Sequence, residues 1–321
     1  MMPNARRRSF LLAVLLCAFA VLTMAADGDY RLYILADCDP GDDDDDDEVY
    51  PEVDRMVMAG DSWSAGLVYP TIDALADLGF GEVALSYNGT AVPGSKAEQF
   101  ANNEASLMDI LEVSLDVNPP ADVLLLVIGG NDLLSDIADG FGGWADFRQN
   151  NALDDIADDI NTIIDKAQEG RPNLRVVIVG YDYLHWDFSS LAYGLKDMNT
   201  QSFNEAFVAL EQRKLDIAQS RARVEYAHNF GILQRTYGDT THPPFLLPPL
   251  PYDPGVAPRG GYASEGYEPF PGGAIFYPSP LDRIPDGIHP TADGFRVIID
   301  NTFTQGLENI LDQLPWATTA P

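Results

Sequence analysis

Basic residues are scarce in this sequence of 321 residues. Its 19 lysines and arginines stand against 50 aspartates and glutamates, which gives a formal net charge of −31. Binding to a nucleic-acid backbone or to an anionic membrane surface depends on clustered lysine and arginine. The composition therefore excludes an unassisted role of either kind, and we expect no nucleic-acid partner.

Cysteine is scarcer still, with two residues, Cys17 and Cys38. Cys17 lies in an N-terminal apolar stretch that we expect to be removed, so the mature chain would keep Cys38 alone. A single cysteine forms no internal disulfide, and the stability of the fold must then come from core packing. A hydrophobic content of 46% over this length is enough for a sizeable core.

The N-terminus has the features of a secretory signal peptide. Arginines at 6–8 precede an apolar stretch over residues 10–22, and the small residues Ala25 and Ala26 follow. We predict a signal peptide over residues 1–26, cleaved after one of these alanines, and a secreted or periplasmic product. The stretch is short for a transmembrane helix, which makes an uncleaved anchor the weaker alternative. No membrane span is expected after cleavage.

Residues 27–53 are rich in aspartate, with six consecutive aspartates at 42–47. Like charges this dense repel one another, which predicts a solvated, disordered linker. The alternative is a calcium loop, but Gly41 stands one place early for the turn of an EF-hand, and no amphipathic helix flanks the segment. Its candidate ligands would be Asp37, Asp39, Asp45 and Glu48.

A single domain is predicted over residues 54–314, where short apolar runs alternate with amphipathic segments, and residues 315–321 form a tail. Five of the runs indicate buried parallel strands: Arg55–Ala59, Val83–Tyr87, Val123–Ile128, Arg175–Val179 and Val224–Ala227. Strands that alternate with helices predict right-handed crossovers and an open, doubly wound α/β sheet. In such sheets the chemistry gathers at the carboxyl ends of the strands.

Helix signals separate the runs. Pro70 is predicted to begin the first helix and Gly79 to end it. The predicted buried face of that helix carries Ile72, Leu75 and Leu78. Ser95 and Glu98 predict a capping box for the next helix. The alternation stops over about residues 229–285, where proline and aromatic residues predict a functional loop or a disordered insert.

Polar blocks follow the first three predicted strands. Ser62, after the first strand, can expose its hydroxyl at a helix N-terminus, or it can simply cap the helix. Gly94 lies in the glycine-rich turn after the second strand. Asn131, after the third, can donate its side-chain amide to an oxyanion or cap a turn.

A fourth block, Asp286 to His289, precedes the predicted last helix. An aspartate three residues before a histidine can reach its Nδ1 and orient the ring as a general base. All four histidines of the chain have an acidic residue at this spacing, so the spacing does not identify the base. The base has to be identified by its position in the predicted fold. The loop before the final helix favours His289 as the base, whereas His185 follows the fourth strand and is a candidate for the pocket wall.

Taken in order, these four blocks resemble those of the SGNH (GDSL-type) hydrolases over about residues 55–311. The resemblance implies a flavodoxin-like three-layer α/β/α sandwich with a five-stranded parallel sheet, and no metal or organic cofactor. It also implies Ser62 as the nucleophile, His289 as the base and Asp286 as the residue that orients the base.

The resemblance further implies an oxyanion hole made by the backbone amides of Ser62 and Gly94 with the side chain of Asn131. Gly89 is a rival to Gly94, which we prefer because it directly precedes the predicted capping box. Trp63 departs from the aliphatic residue usual after the serine. Further candidate pocket residues are Trp63, Asp132, His185 and Trp186.

The expected function is therefore that of a secreted serine esterase that hydrolyses carboxylic esters, of an acetylated carbohydrate or of a lipid or other short-chain ester. The same site could pass the acyl group to an alcohol, so an O-acyltransferase is the alternative. Two other classes stay open: a catalytically silent binding protein of the same fold, and a calcium-dependent surface protein acting through the aspartate run. A flavodoxin-like binder is disfavoured, because no phosphate-cradling loop follows the first strand.

Overall fold

The structure is a computed structural model, and every statement about it concerns the residues that it describes. These are residues 55–117, 119–138, 151–185, 200–237, 283–307 and 310–311. They belong to one compact unit, Asp54–Pro321. The predicted signal peptide, acidic linker and C-terminal tail, Trp186 and most of the predicted insert lie outside the described residues.

A parallel sheet forms the middle of the fold. Its strands are β1 Arg55–Gly60, β2 Ala84–Ser86, β3 Val123–Val127, β4 Arg175–Val179 and β5 Val224–Ala227. They pair in the order β2-β1-β3-β4-β5, all parallel. Each predicted strand is present, with its ends within one residue of the prediction. Every residue of β1 and β3 is buried, as expected for strands covered on both faces.

Helices cover the sheet. They are α1 Ser62–Asp77, α2 Ala97–Ala101, α3 Leu107–Asp116, α4 Gly130–Ala138, α5 Ala152–Gln168, α6 Thr200–Ser220, α7 Ile232–Tyr237 and α8 Ala292–Thr302, with a 3-10 turn at Glu104–Ser106 and a π turn at Phe303–Leu307. No helix among the described residues is long and apolar enough to cross a membrane.

The helices form two layers. Helix α1 packs against α8, whereas α5 packs against α2, α3 and α6. After β2 the chain reverses its direction across the sheet, and right-handed crossovers then place the two groups on opposite faces. The predicted three-layer α/β/α fold is therefore confirmed.

The predicted start of the first helix at Pro70 is wrong. Helix α1 begins at Ser62, because the end of β1 delivers Asp61 as its N-cap, and the Asp61 side chain accepts a hydrogen bond of 2.9 Å from the Trp63 amide. Pro70 lies inside the helix. The predicted buried face also differs, since Ile72 is 40% exposed, and the side chains that pack inward include Trp63, Leu67, Ala74 and Leu75.

The predicted capping box of Ser95 and Glu98 is wrong as well. The Ser95 hydroxyl donates instead to the Gly60 carbonyl at 3.0 Å. The amides that begin α2 are capped from a distant part of the chain: Asp132 accepts from the Ala97 amide at 2.9 Å and from the Glu98 amide at 3.2 Å. The cap is tertiary, so the local sequence pattern could not show it.

The ends of β1 and β3 approach each other closely at Gly60. Its φ of +136° lies in a region that favours glycine, and a Cβ there would overlap the Val127 carbonyl. The same carbonyl accepts a hydrogen bond from the Asp61 amide at 3.0 Å. Gly60 thus allows the turn after β1 to lie directly against β3.

We predict that Gly60→Ala destabilises the fold by about 4 kcal/mol or more, because backbone atoms of a buried strand would have to move apart. The measurement is urea unfolding followed by far-UV circular dichroism. Gly79→Ala is the matched control: Gly79 also has a positive φ, +87°, but no atom lies within 4 Å of its Cβ position. The control should lose only about 1 kcal/mol. Equal losses in the two variants would contradict the close approach.

Candidate active site

The structure brings Ser62, His289 and Asp286 together at the carboxyl edge of the sheet. Ser62 is the first residue of α1, and His289 lies 227 positions later in the loop before α8. The distance from His289 Nε2 to Ser62 Oγ is 2.7 Å, and His289 Nδ1 lies 2.6 Å from Asp286 Oδ2. A hydroxyl, an imidazole and a carboxylate in this order can pass a proton from oxygen to nitrogen while the carboxylate stabilises the ring.

The Asp286 carboxylate is held by backbone amides of its own turn. Its Oδ1 accepts from the amides of Ile288 at 2.9 Å and His289 at 2.7 Å, which leaves Oδ2 for the ring. Partial burial raises the pKa of Asp286, but the hydrogen bonds from the His289 ring and from the two amides outweigh this, and the pKa lies below its usual value. The carboxyl is therefore ionised at neutral pH.

Two contacts hold the histidine loop against the rest of the site. Trp63 Nε1 donates to the Ile288 carbonyl at 3.1 Å, and the His185 amide donates to the Gly287 carbonyl at 2.9 Å. The Trp63 indole is 3% exposed. The residue beside the serine and the chain after β4 together fix the position of the histidine.

The proposed oxyanion donors lie on three turns that hydrogen-bond to one another. Ser62 is the first helical residue, so its amide has no acceptor within the helix. Asn131 Nδ2 donates to the Ser95 carbonyl at 3.0 Å, and Ser95 in turn contacts Gly60. Gly94 directly precedes Ser95 and is exposed, with φ +81°. The turn of Gly94 is thus joined to both neighbouring turns.

The rival residue, Gly89, has a different neighbour. A Cβ on it would lie 3.1 Å from the side chain of Ile110 in α3. This contact places Gly89 beside α3.

A small, open cavity adjoins Ser62. Its walls are mostly apolar: Trp63, Leu134, Tyr181, Leu184, Phe207 and Ile288. Of the predicted pocket residues, Trp63 lines this cavity, whereas Asp132 and His185 do not: Asp132 caps α2, and His185 supports the histidine loop through its backbone. Within the described ranges, no three His, Cys, Asp or Glu side chains are placed to hold a metal ion.

Sequence reasoning missed two buried residues behind Ser62. The Asp61 carboxylate accepts from the Trp63 amide and from the Tyr181 hydroxyl. Burial raises the pKa of Asp61 to about 6, although these hydrogen bonds and the charge of Lys214 act to lower it. The position of Tyr181 just after β4 was the available signal, because polar groups at the ends of parallel strands converge.

Comparison with known proteins finds distant matches among solved structures. No family profile and no curated protein matches the sequence. Among solved structures, an acetylxylan esterase from Geobacillus stearothermophilus (a catalytic mutant) is 10% identical, with a TM-score of 0.49 over 78% of this chain and 93% of that one. A phospholipase A1 from Streptomyces albidoflavus is 15% identical, with a TM-score of 0.46 over 79% and 99%.

A carbohydrate esterase of family 3 from Talaromyces cellulolyticus is 12% identical, with a TM-score of 0.45 over 81% of this chain and 100% of that one. Other matching structures bear the names of lipases, acetyl esterases and acylhydrolases. These likenesses are distant, and the chemistry of the site has to follow from this chain's own residues.

We predict a pH-dependent contribution of Asp61 to stability. Its pKa rises from an ordinary 3.8 in the unfolded chain to about 6 in the fold. The contribution is full below pH 4, where both states are protonated, and is lost as the pH rises through 6, because only the unfolded state ionises freely. The total change is about 3 kcal/mol.

Urea unfolding of the protein and of Asp61→Asn at pH 4, 5, 6 and 7 measures this change. The free energy of unfolding of the unmodified protein should fall relative to that of the variant over this range. A constant difference between the two proteins would show that Asp61 keeps an ordinary pKa.

Proposed function

We propose that this protein is a serine hydrolase that cleaves carboxylic esters through an acyl-enzyme. The observation that carries the proposal is the continuous contact from Ser62 Oγ through the His289 ring to Asp286. Two distant parts of the sequence meet there at hydrogen-bond distance, beside an apolar cavity, which is the geometry that nucleophilic catalysis by serine needs.

The reaction would run in two halves. His289 Nε2 takes the proton of Ser62 Oγ as this oxygen attacks the ester carbonyl, and the same nitrogen then gives the proton to the departing alcohol. Water attacks the acyl-enzyme in the second half, with His289 again as the base, and releases the acid. Asp286 holds the ring through Nδ1 and stabilises its positive charge.

The negative oxygen of each tetrahedral intermediate would be held by the amides of Ser62 and Gly94 and by the side chain of Asn131. The N-terminus of α1 adds a favourable dipole at this point. Loss of one such donor typically lowers kcat by a factor of about 100 to 1,000. Asn131 is the donor that a side-chain substitution can remove.

A neutral ester with a short acyl chain fits the site best. The cavity beside Ser62 is apolar, and buried aromatic rings, Tyr181 and Phe207, form part of its wall. The net charge of −31 disfavours the approach of anionic substrates. Together with the predicted export signal, this favours an acetylated polysaccharide or a short-chain ester outside the cell. An alcohol that replaces water in the second half would make the protein an acyltransferase.

We predict that a fluorophosphonate probe labels Ser62 and that Ser62→Ala abolishes the label, because only an activated hydroxyl reacts with this probe at a useful rate. Peptide mass spectrometry locates the label. Ser220→Ala is the matched control, since Ser220 is an exposed serine at the end of α6. Asp286→Asn should slow labelling by a factor of about 10,000, because the ring loses its orienting partner.

Absence of label on the folded protein, or equal labelling of the protein and Ser62→Ala, would overturn the proposed function. Labelling without release of acid from any ester, but with acyl transfer to an added alcohol, would favour the acyltransferase.

We predict that kcat/KM falls as the acyl chain grows beyond butyryl, because the buried rings of Trp63, Tyr181 and Phe207 line the small cleft beside Ser62. A series of p-nitrophenyl esters from acetyl to octanoyl, assayed with Ser62→Ala as the blank, measures this. An octanoyl ester hydrolysed as well as the acetyl ester would contradict a short acyl site.

A further inference from the structure

A buried hydrogen-bond chain connects the turns that carry the proposed nucleophile and the proposed oxyanion donor. Its centre is the hydroxyl of Tyr181, which donates to Asp61 Oδ2 and accepts from the Gly130 amide at 3.0 Å. At one end, Asp61 Oδ1 accepts from the Trp63 amide at 2.9 Å. At the other end, Gly130 directly precedes Asn131.

The direction of this chain follows from counting protons. A phenol hydroxyl has one hydrogen, and the Gly130 amide can only donate. The Tyr181 hydroxyl therefore accepts from Gly130 and has its single hydrogen left for Asp61, which must offer an unprotonated oxygen. The arrangement is strongest when Asp61 is ionised, because both of its oxygens are then full acceptors.

Close packing fixes the position of the Tyr181 ring. The ring is 2% exposed and lies edge-on to Trp63, with 5.1 Å between ring centroids. On the side of Gly130 the fit is close, since a Cβ on that glycine would lie 2.9 Å from the ring. The hydroxyl is thus held at one point between the ends of β1 and β3 although it is carried by the chain after β4.

A buried cation lies over the same ring. Lys214 Nζ is 4.0 Å from the ring centroid of Tyr181 and pairs with Glu211 Oε1 at 2.7 Å, both side chains being fully buried. Glu211 Oε2 accepts from the Tyr226 hydroxyl at 2.6 Å. This ammonium in a dry site attracts the Asp61 carboxylate.

We propose that Tyr181 is a positioning residue of the proposed reaction, and that its hydroxyl holds the Ser62 turn and the Asn131 turn at the separation that attack and oxyanion binding require together. The proposal rests on the proposed function. It goes beyond the triad because Tyr181 transfers no proton in the reaction and acts through Asp61 and Gly130.

Removal of the hydroxyl alone should affect the transition state more than substrate binding. Tyr181→Phe leaves the ring in place but deprives the Gly130 amide and Asp61 Oδ2 of their buried partner. The two turns are then free to separate, and small displacements of reacting groups lower rates by up to about 100-fold. We expect kcat to fall by about 10-fold to 100-fold with KM changed by less than about threefold.

A second consequence separates positioning from mere stability. The Tyr181 hydroxyl is one of the groups that lower the pKa of Asp61. Without it, the carboxyl holds its proton to higher pH, and a protonated Asp61 accepts more weakly from the Trp63 amide. The acid limb of kcat against pH should therefore move to higher pH in Tyr181→Phe.

Tyr183→Phe provides the matched control. Tyr183 lies two residues further along, is equally buried, and its hydroxyl has no hydrogen-bond partner among the described residues. Tyr183→Phe also removes one oxygen, but it should leave kcat and the acid limb of kcat against pH unchanged. Assays use the preferred ester of the acyl series, or the rate of fluorophosphonate labelling if none is turned over.

A second substitution covers the case in which Tyr181→Phe does not fold. With 3-fluorotyrosine in place of Tyr181, the more acidic hydroxyl donates more strongly, and the acid limb should move to lower pH. An acid limb that stays in place in the 3-fluorotyrosine protein, or equal kinetics of Tyr181→Phe and Tyr183→Phe, would overturn the inference. Neither result would contradict the proposed triad. Failure of the unmodified protein to label at Ser62 would instead overturn the proposed function.

Discussion

The close approach of β1 and β3 at Gly60 is the constraint on which the site depends. Only a residue without a side chain allows the turn after β1 to lie against the Val127 carbonyl. The Gly60 carbonyl then accepts from the Val92 amide and from the Ser95 hydroxyl, which brings the turn after β2 to the same place. Three strand ends converge there because the Gly60 carbonyl holds the turn after β2 and the Val127 carbonyl at the end of β3 holds the turn after β1.

The proposed base reaches the site by a different principle. No strand carries His289; its loop is fixed by an indole N–H from Trp63 and by a backbone amide from the chain after β4. An aliphatic residue, which the resemblance predicts after the serine, has no such donor. The departure at Trp63 therefore has a physical role, since it attaches the base directly to the helix that begins with the nucleophile.

The sequence predicted what depends on local pattern and missed what depends on distant partners. Apolar runs identified the strands to within a residue, because burial on both faces requires such runs. The predicted start of α1 and the predicted cap of α2 were wrong. The residues that cap these helices, Asp61 and Asp132, are brought to them by the strands of the sheet, which the local sequence does not show. The pairing of Asp61 with Tyr181 spans 120 positions and has no sequence signature. For the triad, four histidines shared one spacing, and only position favoured His289.

The packing of α8 on α1 has a consequence for how the protein is made. The ribosome synthesises every strand of the sheet before His289, so the central sheet can assemble while the nucleophile still lacks its base. The proposed activity is then gained late, when the histidine loop docks on Trp63. A chain that has not yet formed the contact between the first helix and the last holds Ser62 without its proposed base.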